Sequence, residues 1–230
     1  MKTLAIIGGI GPESTIQYYR AVLNAYRNRL GAVDAPSIFI NSIDVNRLLA
    51  LAATDLNGLT RYLLVELERM ADAGASLGLL AANTPHVVFD DLARVSPIPL
   101  VSIVEATCEE AVRRGLRRLG LLGTRFTMSG RFYPHVLSQR GIEVVAPSQD
   151  DQAFVHEKYT NELLQNVFTV DTRNAVLDII DRLRERDGVD GVILGGTELP
   201  LLLNADEHRG VPLLDTSRIH IDAAVRQLWL

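Results

Sequence analysis

Four short turns of this 230-residue chain carry residue types that bind small anions. Each combines glycine or alanine with threonine or asparagine, and each lies between an apolar run and a helix-like segment. The turns cover residues 8–15, 82–86, 123–128 and 195–198. Ligands of open parallel sheets bind outside the carboxyl ends of the strands, where backbone N–H groups and helix dipoles favour anions. The turns therefore predict a site for a carboxylate or a phosphate.

The first turn does not have the spacing of a nucleotide-binding loop. Its sequence is GGIGPEST, which is not G-x-G-x-x-G, and the chain contains no G-x-x-x-x-G-K-[ST] motif. A small amino acid or dicarboxylic acid suits the threonine-bearing turns better than a dinucleotide does. The candidate ligand-binding residues are Gly9, Arg47, Asn83, Thr84, Thr124, Thr127 and Thr197.

Arg47 is a candidate clamp for a distal carboxylate, because a guanidinium can bind a carboxylate with two hydrogen bonds. It follows the second apolar run within the sequence NSIDVNR. An exposed arginine in the first turns of a helix is the competing interpretation.

Candidates for proton transfer are few. His86 has a side chain that titrates near neutrality, although a structural histidine bonded to a neighbouring loop is the favoured interpretation. Glu198 is a carboxylate in the predicted first turn of a helix, where it is stabilising without any catalysis. Thr84 and Thr197 complete the set. A further polar group comprises His156, Lys158 and Tyr159. A lid over the cleft is one interpretation of this group, and a solvated helix face is the favoured one.

The elements that position these turns alternate along the chain. Apolar runs predict strands at 3–7, 37–43, 77–81, 100–103, 119–122, 143–146 and 191–194. Amphipathic patterns predict helices near 13–29, 57–73, 105–114, 130–139, 151–166, 172–186 and 217–228, with Asp171 and either Asp215 or Thr216 as N-caps. Strands that alternate with crossover helices predict an α/β fold with mostly parallel sheets flanked by helices.

The chain also repeats itself. LAIIGGIGPESTIQYY at residues 4–19 is echoed by LGLLGTRFTMSGRFY at 119–133, and Thr84 and Thr197 lie in a second matching pair of segments. The two offsets, from Gly8 to Gly123 and from Thr84 to Thr197, are 115 and 113 residues. We therefore expect two similar lobes related by a pseudo-two-fold duplication. The predicted lobes are residues 1–98 plus 208–230 and residues 99–207, with the ligand cleft between them.

Composition excludes some classes of partner. The formal net charge of -5 argues against a nucleic-acid partner, and no apolar run is long enough for a signal peptide or a membrane span. Cys108 is the only cysteine, which excludes an internal disulfide and a cysteine-rich metal site. We expect a cytoplasmic protein without a membrane partner, and a homodimer is left open as its assembly.

Taken together, the four turns resemble those of the cofactor-independent aspartate/glutamate racemase family. The matching stretches are GGIGPEST, NTPH, LGTRFTM and LGGTELPLL, in this order from residue 8 to residue 202. The resemblance implies two lobes with the last helix returning to the first, an amino-acid or dicarboxylate ligand, and no metal, pyridoxal phosphate or nucleotide.

In that family, two cysteines take and return the α-proton, and both are missing here. One precedes the Asn-Thr pair and the other precedes Thr-Glu, and these positions hold Ala82 and Gly196. Neither the methyl side chain of alanine nor the hydrogen of glycine can accept or release a proton. Three classes stay open: a racemase or epimerase with unusual acid/base groups or with its cysteines replaced artificially, an enzyme for another carboxylate reaction such as decarboxylation, isomerisation or lyase chemistry, and a carboxylate-binding protein without activity.

Overall fold

The computed structural model describes residues 2–30 and 36–229 of the chain. They form two compact units, Met1–Ile103 with Ser217–Leu230, and Val104–Thr216. The predicted lobe boundaries, 98/99 and 207/208, lie five and nine residues before the observed ones. The structure assigns the strand at Leu100–Val101 to the first unit because it pairs with a strand of that unit's sheet. Met1, residues 31–35 and Leu230, which belong to the predicted first lobe, lie outside the described residues.

The first unit is built on a parallel sheet with strand order β2-β1-β3-β4. Its strands are β1 (Leu4–Gly8), β2 (Ile38–Ser42), β3 (Leu77–Leu80) and β4 (Leu100–Val101). Its helices are α1 (Pro12–Leu30), α2 (Val45–Thr54), α3 (Leu56–Asp72), a 3-10 helix (Thr84–Val88), α4 (Phe89–Val95) and α11 (Thr216–Leu228). The central strands β1 and β3 are buried along their whole length, as unbroken apolar runs in parallel sheets are.

The second unit has a sheet with strand order β6-β5-β7-β9-β8, parallel except for the β8–β9 pair. Its strands are β5 (Arg118–Gly123), β6 (Glu143–Val145), β7 (Gly191–Gly195), β8 (Glu207–His208) and β9 (Val211–Asp215). Its helices are α5 (Ile103–Arg113), α6 (Arg125–Ser129), α7 (Phe132–Ser138), α8 (Gln149–Asn161), a 3-10 helix (Leu163–Gln165), α9 (Val170–Asp187) and α10 (Leu199–Leu203).

The predicted α/β class and the two similar, parallel-sheet units are confirmed. The strand order β2-β1-β3-β4 of the first sheet recurs as β6-β5-β7-β9 in the second. In both units the sequence turns come after the two central strands, β1 and β3 or β5 and β7. Each pair of neighbouring strands therefore brings two of the four turns to one edge of a sheet.

Helix ends correct one detail of the sequence analysis. The N-cap of α9 is Thr169, whose hydroxyl accepts a hydrogen bond from the Thr172 N–H at 3.1 Å, and the helix begins at Val170. Asp171 was predicted as the cap but lies within the first turn. The apolar patterns of the sequence do not predict the elements α2, α4, α6, α10, β8 and β9. None of the helices in the described part of the chain is long and apolar enough to cross a membrane.

Candidate functional site

In the first unit, hydrogen bonds tie together the turns after β1 and β3. The Ser14 hydroxyl donates to the Ala81 carbonyl oxygen at 3.1 Å, and the Gly9 N–H donates to Thr15 Oγ1 at 2.9 Å. Gly9 has a φ of +80°, and a Cβ there would lie 2.5 Å from Ser42 Oγ, so only glycine fits. Because the N–H of Gly9 already donates to Thr15 within the turn, the role of Gly9 is to shape the turn.

The turn after β3 places Ala82, Asn83 and Thr84 side by side in a buried position. Ala82 and Thr84 are each 7% exposed, and Asn83 is 4% exposed. The 3-10 helix begins at Thr84 with Pro85 in its first turn, which fixes the chain direction just after these residues. Small and hydroxylic groups therefore line this turn, while the position of the first family cysteine offers a methyl group.

His86 is a structural side chain in this arrangement. Its Nδ1–H donates to the Ala82 carbonyl oxygen at 2.9 Å, and its Nε2 accepts from the Ile103 N–H at 3.1 Å. Burial lowers the pKa of His86 to about 3, and the neighbouring His220 lowers it further. The ring therefore stays neutral near pH 7, with both nitrogens bonded to backbone, and is not available as a proton carrier.

Arg47 lies at the start of α2, beside the N-cap of that helix. Asp44 is the cap and accepts hydrogen bonds from the Asn46 and Arg47 N–H groups at 2.9 and 3.2 Å. The Arg47 guanidinium is exposed and lies over the Tyr62 ring, 4.5 Å from its centroid. A cation held on an aromatic face in this way can still bind a carboxylate with its edge.

In the second unit, the turn after β5 packs directly against the turn after β7. Gly123 and Gly195 are register partners in the sheet. A Cβ at Gly195 would lie 2.8 Å from Thr127 Cγ2, so the methyl of Thr127 fills the space beside this glycine. Thr127 is fully buried, and its Oγ1 lies 3.3 Å from Thr124 Oγ1. Thr127 thus supports the turn, whereas Thr124, the half-buried N-cap of α6, is the more accessible hydroxyl.

The turn after β7 carries a buried polar cluster, which we call the 198 cluster: Thr197, Glu198 and Tyr159. The Tyr159 hydroxyl and Thr197 Oγ1 both donate to Glu198 Oε2, the latter at 2.9 Å. The three residues are 3–5% exposed. Burial raises the pKa of Glu198, and the hydrogen bonds from Tyr159 and Thr197 offset part of that rise.

Tyr159 is the residue that the sequence analysis misjudged. It was interpreted, with His156 and Lys158, as part of a solvated helix face, but its ring belongs to the core of the second unit. Its two neighbours are partly buried: His156 Nδ1 accepts from the Arg125 N–H at 3.3 Å, and Lys158 forms an ion pair with Glu162 at 2.7 Å. The partner of Tyr159 is 39 residues away in the chain, so local pattern could not reveal it.

Other reactive groups are sparse in the described part of the chain. No group of three or more His, Cys, Asp or Glu side chains there is arranged to hold a metal ion. Cys108 is buried in α5, and burial raises the pKa of its thiol. A buried thiol with a raised pKa is a poor source of thiolate, so Cys108 does not replace the missing cysteines.

Comparison with known proteins identifies the group to which this architecture belongs. The model of the Asp/Glu/hydantoin racemase family matches residues 7–224. The chain belongs to this family. A solved structure of a candidate Asp/Glu racemase from Yersinia pestis has a TM-score of 0.90 at 34% identity, over the whole of both chains. A homologue of aspartate racemase from Pyrococcus horikoshii has a TM-score of 0.84, also at 34% identity and full coverage of both chains.

A curated relative extends this racemase-family similarity. The broad specificity amino-acid racemase RacX of Bacillus subtilis is 23% identical over 227 residues, which cover 93% of this chain and 92% of RacX. The predicted membership of an amino-acid racemase family is thereby confirmed.

Proposed function

We propose that this racemase-family chain is a cofactor-independent, racemase-like enzyme for a small amino acid or dicarboxylic acid. Support for the ligand class comes from the turns after β1, β3, β5 and β7, which end neighbouring parallel strands in hydroxyl and amide groups. The side chains proposed to bind the ligand are Arg47, Asn83, Thr84, Thr124 and Thr197. Gly9 and Thr127 are assigned supporting roles, because the Gly9 amide has a partner within its own turn and the Thr127 side chain is fully buried.

The reaction we propose is not ordinary two-thiol racemisation. The observation that carries this conclusion is at Gly196, where a Cβ would lie 2.9 Å from Tyr159 Cζ and 3.0 Å from its hydroxyl oxygen. The place of a side chain is thus filled by another residue, and Ala82 carries only a methyl group at the other cysteine position. Inversion of a carbon centre by two bases needs a proton carrier on each face.

Two alternatives keep the same ligand class. A different carboxylate reaction, such as decarboxylation, isomerisation or elimination, needs only one acid/base group, and Glu198 is a buried carboxyl with a raised pKa. A binding protein without activity needs none. Because perturbed carboxyl pKa values are typical of catalytic sites, the 198 cluster favours the enzyme over the binding protein. A cytoplasmic location and a homodimer stay predictions.

The experiment that tests the ligand class is calorimetric titration with the L- and D-forms of aspartate and glutamate. We expect one or more of them to bind to the wild-type chain. Thr84→Val and Thr197→Val should each weaken binding by about tenfold or more, because each removes a hydroxyl proposed to hydrogen-bond to the ligand. The Thr197 hydroxyl donates to Glu198, so it would accept a hydrogen bond from the ligand ammonium group. Thr60→Val, at a half-buried position of α3 outside the four turns, is the matched control and should leave binding unchanged. Failure of all four acids to bind would contradict the proposed ligand class.

Circular dichroism of the same four acids then tests the reaction. The wild-type chain should leave the signal of each enantiomer essentially constant over hours, because neither cysteine position can carry a proton. Rapid loss of optical activity would contradict the exclusion of two-sided proton transfer.

A further inference from the structure

The ring of Tyr159 occupies the space that a side chain at position 196 would need. A Cβ built on Gly196 would meet Cε2, Cζ and the hydroxyl oxygen of that ring. The ring is 4% exposed and packs in the apolar core of the second unit with Val155 and Leu163. A ring held in a packed core cannot move aside freely, so the presence of Tyr159 requires a residue without a side chain at position 196.

The polar end of this ring reaches the carboxyl group of Glu198. That carboxyl is 3% exposed, and the groups that shift its pKa besides burial are Tyr159, Thr197 and its own backbone amide, all of them uncharged. A buried carboxyl held by neutral donors keeps a high affinity for a proton, because no cation compensates the lost hydration of the carboxylate. Glu198 therefore has the character of a general acid/base rather than of half of an ion pair.

Tyr159 cannot itself be the base. Burial raises the pKa of its phenol well above the usual value, and the adjacent charge of Glu198 raises it further. The hydroxyl consequently stays protonated and acts as a hydrogen-bond donor. Its effect on chemistry passes through the carboxyl group that it contacts.

We propose that Glu198 is the proton-exchanging group of this protein, in the role that a thiol at position 196 would have, and that Tyr159 is its positioning residue. This assignment rests on the proposed function, because it needs a bound carboxylic acid as its partner. In the forward step, a C–H bond next to the ligand carboxylate breaks, its electron pair stays on that carbon, and the proton bonds to a Glu198 carboxylate oxygen. The reverse step returns a proton to the same face, so no oxidant, reductant or second substrate is required.

The first test measures the protonation of Glu198 directly. The infrared C=O band of its protonated carboxyl is obtained from the difference between wild type and Glu198→Gln over a pH series. We expect this band to persist to a higher pH than that of an exposed glutamic acid. Tyr159→Phe should shift its titration to still higher pH, because the variant loses a donor that stabilises the carboxylate.

The control for this titration is Glu185→Gln, which removes an exposed carboxyl from α9. That difference band should not respond to Tyr159→Phe. If Tyr159→Phe leaves the Glu198 titration unmoved, or shifts the Glu185 band as well, the proposed pair is overturned. This result does not depend on knowing the substrate.

The second test follows α-hydrogen exchange in D₂O by proton NMR, with L- and D-aspartate and L- and D-glutamate as probes. A bound probe should exchange its α-hydrogen in one enantiomer only, with retention of configuration. Glu198→Gln should slow exchange by about 10²–10⁴-fold, as expected for the loss of a general base. Tyr159→Phe should slow it less and move the acidic limb of the pH–rate profile upward, in parallel with the infrared titration.

The outcomes separate this proposal from the proposed function. Exchange that survives Glu198→Gln, exchange with inversion, or a probe that binds without exchange would each overturn the role of Glu198 while leaving the ligand class intact. Absence of binding by all four probes would contradict the ligand class, and the infrared titration would still decide whether the Glu198–Tyr159 pair exists.

Discussion

At the scale of single residues, the missing thiol at position 196 is linked to the presence of Tyr159. Gly196→Cys should destabilise the fold by about 1–3 kcal/mol, because overpacking a core forces neighbouring side chains off their rotamers. In a Tyr159→Ala background the added side chain should cost much less. Urea unfolding of the wild type, both single variants and the double variant measures this coupling. Ala153→Cys, on the exposed face of α8, is the control for adding a thiol.

If the losses in free energy of unfolding caused by Gly196→Cys and Tyr159→Ala were additive in the double variant, the overlap between a side chain at position 196 and Tyr159 would be contradicted. The coupling also bears on attempts to rebuild two-thiol chemistry. Ala82→Cys with Gly196→Cys leaves the Tyr159 ring in place, so we expect racemisation only when Tyr159 is reduced in size as well.

Two buried histidines make the first unit sensitive to acid. His220 donates from Nε2 to the Val101 carbonyl oxygen at 2.8 Å and accepts from the Tyr18 hydroxyl at 2.9 Å, and burial lowers its pKa to about 4. Above pH 6.5 both the folded and the unfolded chain keep the ring neutral, so stability is unaffected. As the pH falls below 6.5, only the unfolded chain binds a proton, and stability falls until the pH reaches the folded pKa.

His220→Gln should therefore flatten the pH dependence of stability. Between pH 7 and pH 5 the wild type should lose about 2 kcal/mol more than the variant, from 1.36 kcal/mol for each unit of pKa difference. The variant should be less stable at pH 7, because a glutamine side chain does not fill the space of the fully buried imidazole ring. His135→Gln, which removes an exposed ring, should follow the wild-type curve in urea titrations at the two pH values. Equal slopes for all three proteins would contradict the lowered pKa.

At the scale of elements, long segments were predictable from the sequence and short ones were not. The central strands and the long helices α1, α3 and α9 have clear apolar periodicity. Helices α6 and α10 have five residues each, too short for a 3.6-residue period to stand out. These short helices follow the candidate turns, so the elements that shape the site are the ones that pattern alone misses. Strand β9 contains Pro212, which hid it among loops.

The N-terminus of α9 provides a test at this scale. Thr169→Ala should lower the free energy of unfolding by about 1 kcal/mol, the usual loss when a capping hydroxyl is removed. Thr169→Ser should retain most of the stability, because serine also caps. Asp171→Ala removes only a charge near the helix dipole and should cost less than Thr169→Ala. Chemical denaturation of the three variants measures the order, and a larger loss for Asp171→Ala would restore that residue as the cap.

At the scale of the whole molecule, the duplicated strand order explains why the repeat was visible in the sequence. The two central strands of each sheet are matched by the segments that repeat at offsets of 115 and 113 residues. The repeat is strongest where strand, glycine turn and helix start coincide, since these positions tolerate few residue types. The 198 cluster departs from it: Thr84 matches Thr197, but Pro85 stands where the second unit has Glu198. A carboxyl group therefore follows the threonine in one unit only, which a repeat pattern cannot predict.

The chain path makes the two units unequal in how they fold alone. The second unit is continuous, from Val104 to Thr216, and has its own core, so a fragment of residues 104–216 should unfold cooperatively in urea. The first unit buries His220 of α11 against Tyr18, and Trp229 stacks on Tyr26 at 5.1 Å. A fragment of residues 1–103 should therefore lack a cooperative transition.

Joining residues 1–103 to residues 217–229 through a short Gly/Ser linker should restore a cooperative transition, since the contact between Val101 and His220 brings the two pieces together. The fluorescence of Trp229, the only tryptophan of the chain, reports the recovery. Cooperative unfolding of residues 1–103 alone would contradict the dependence on α11. The linked fragment that carries His220→Ala should be less stable than the same linked fragment with His220.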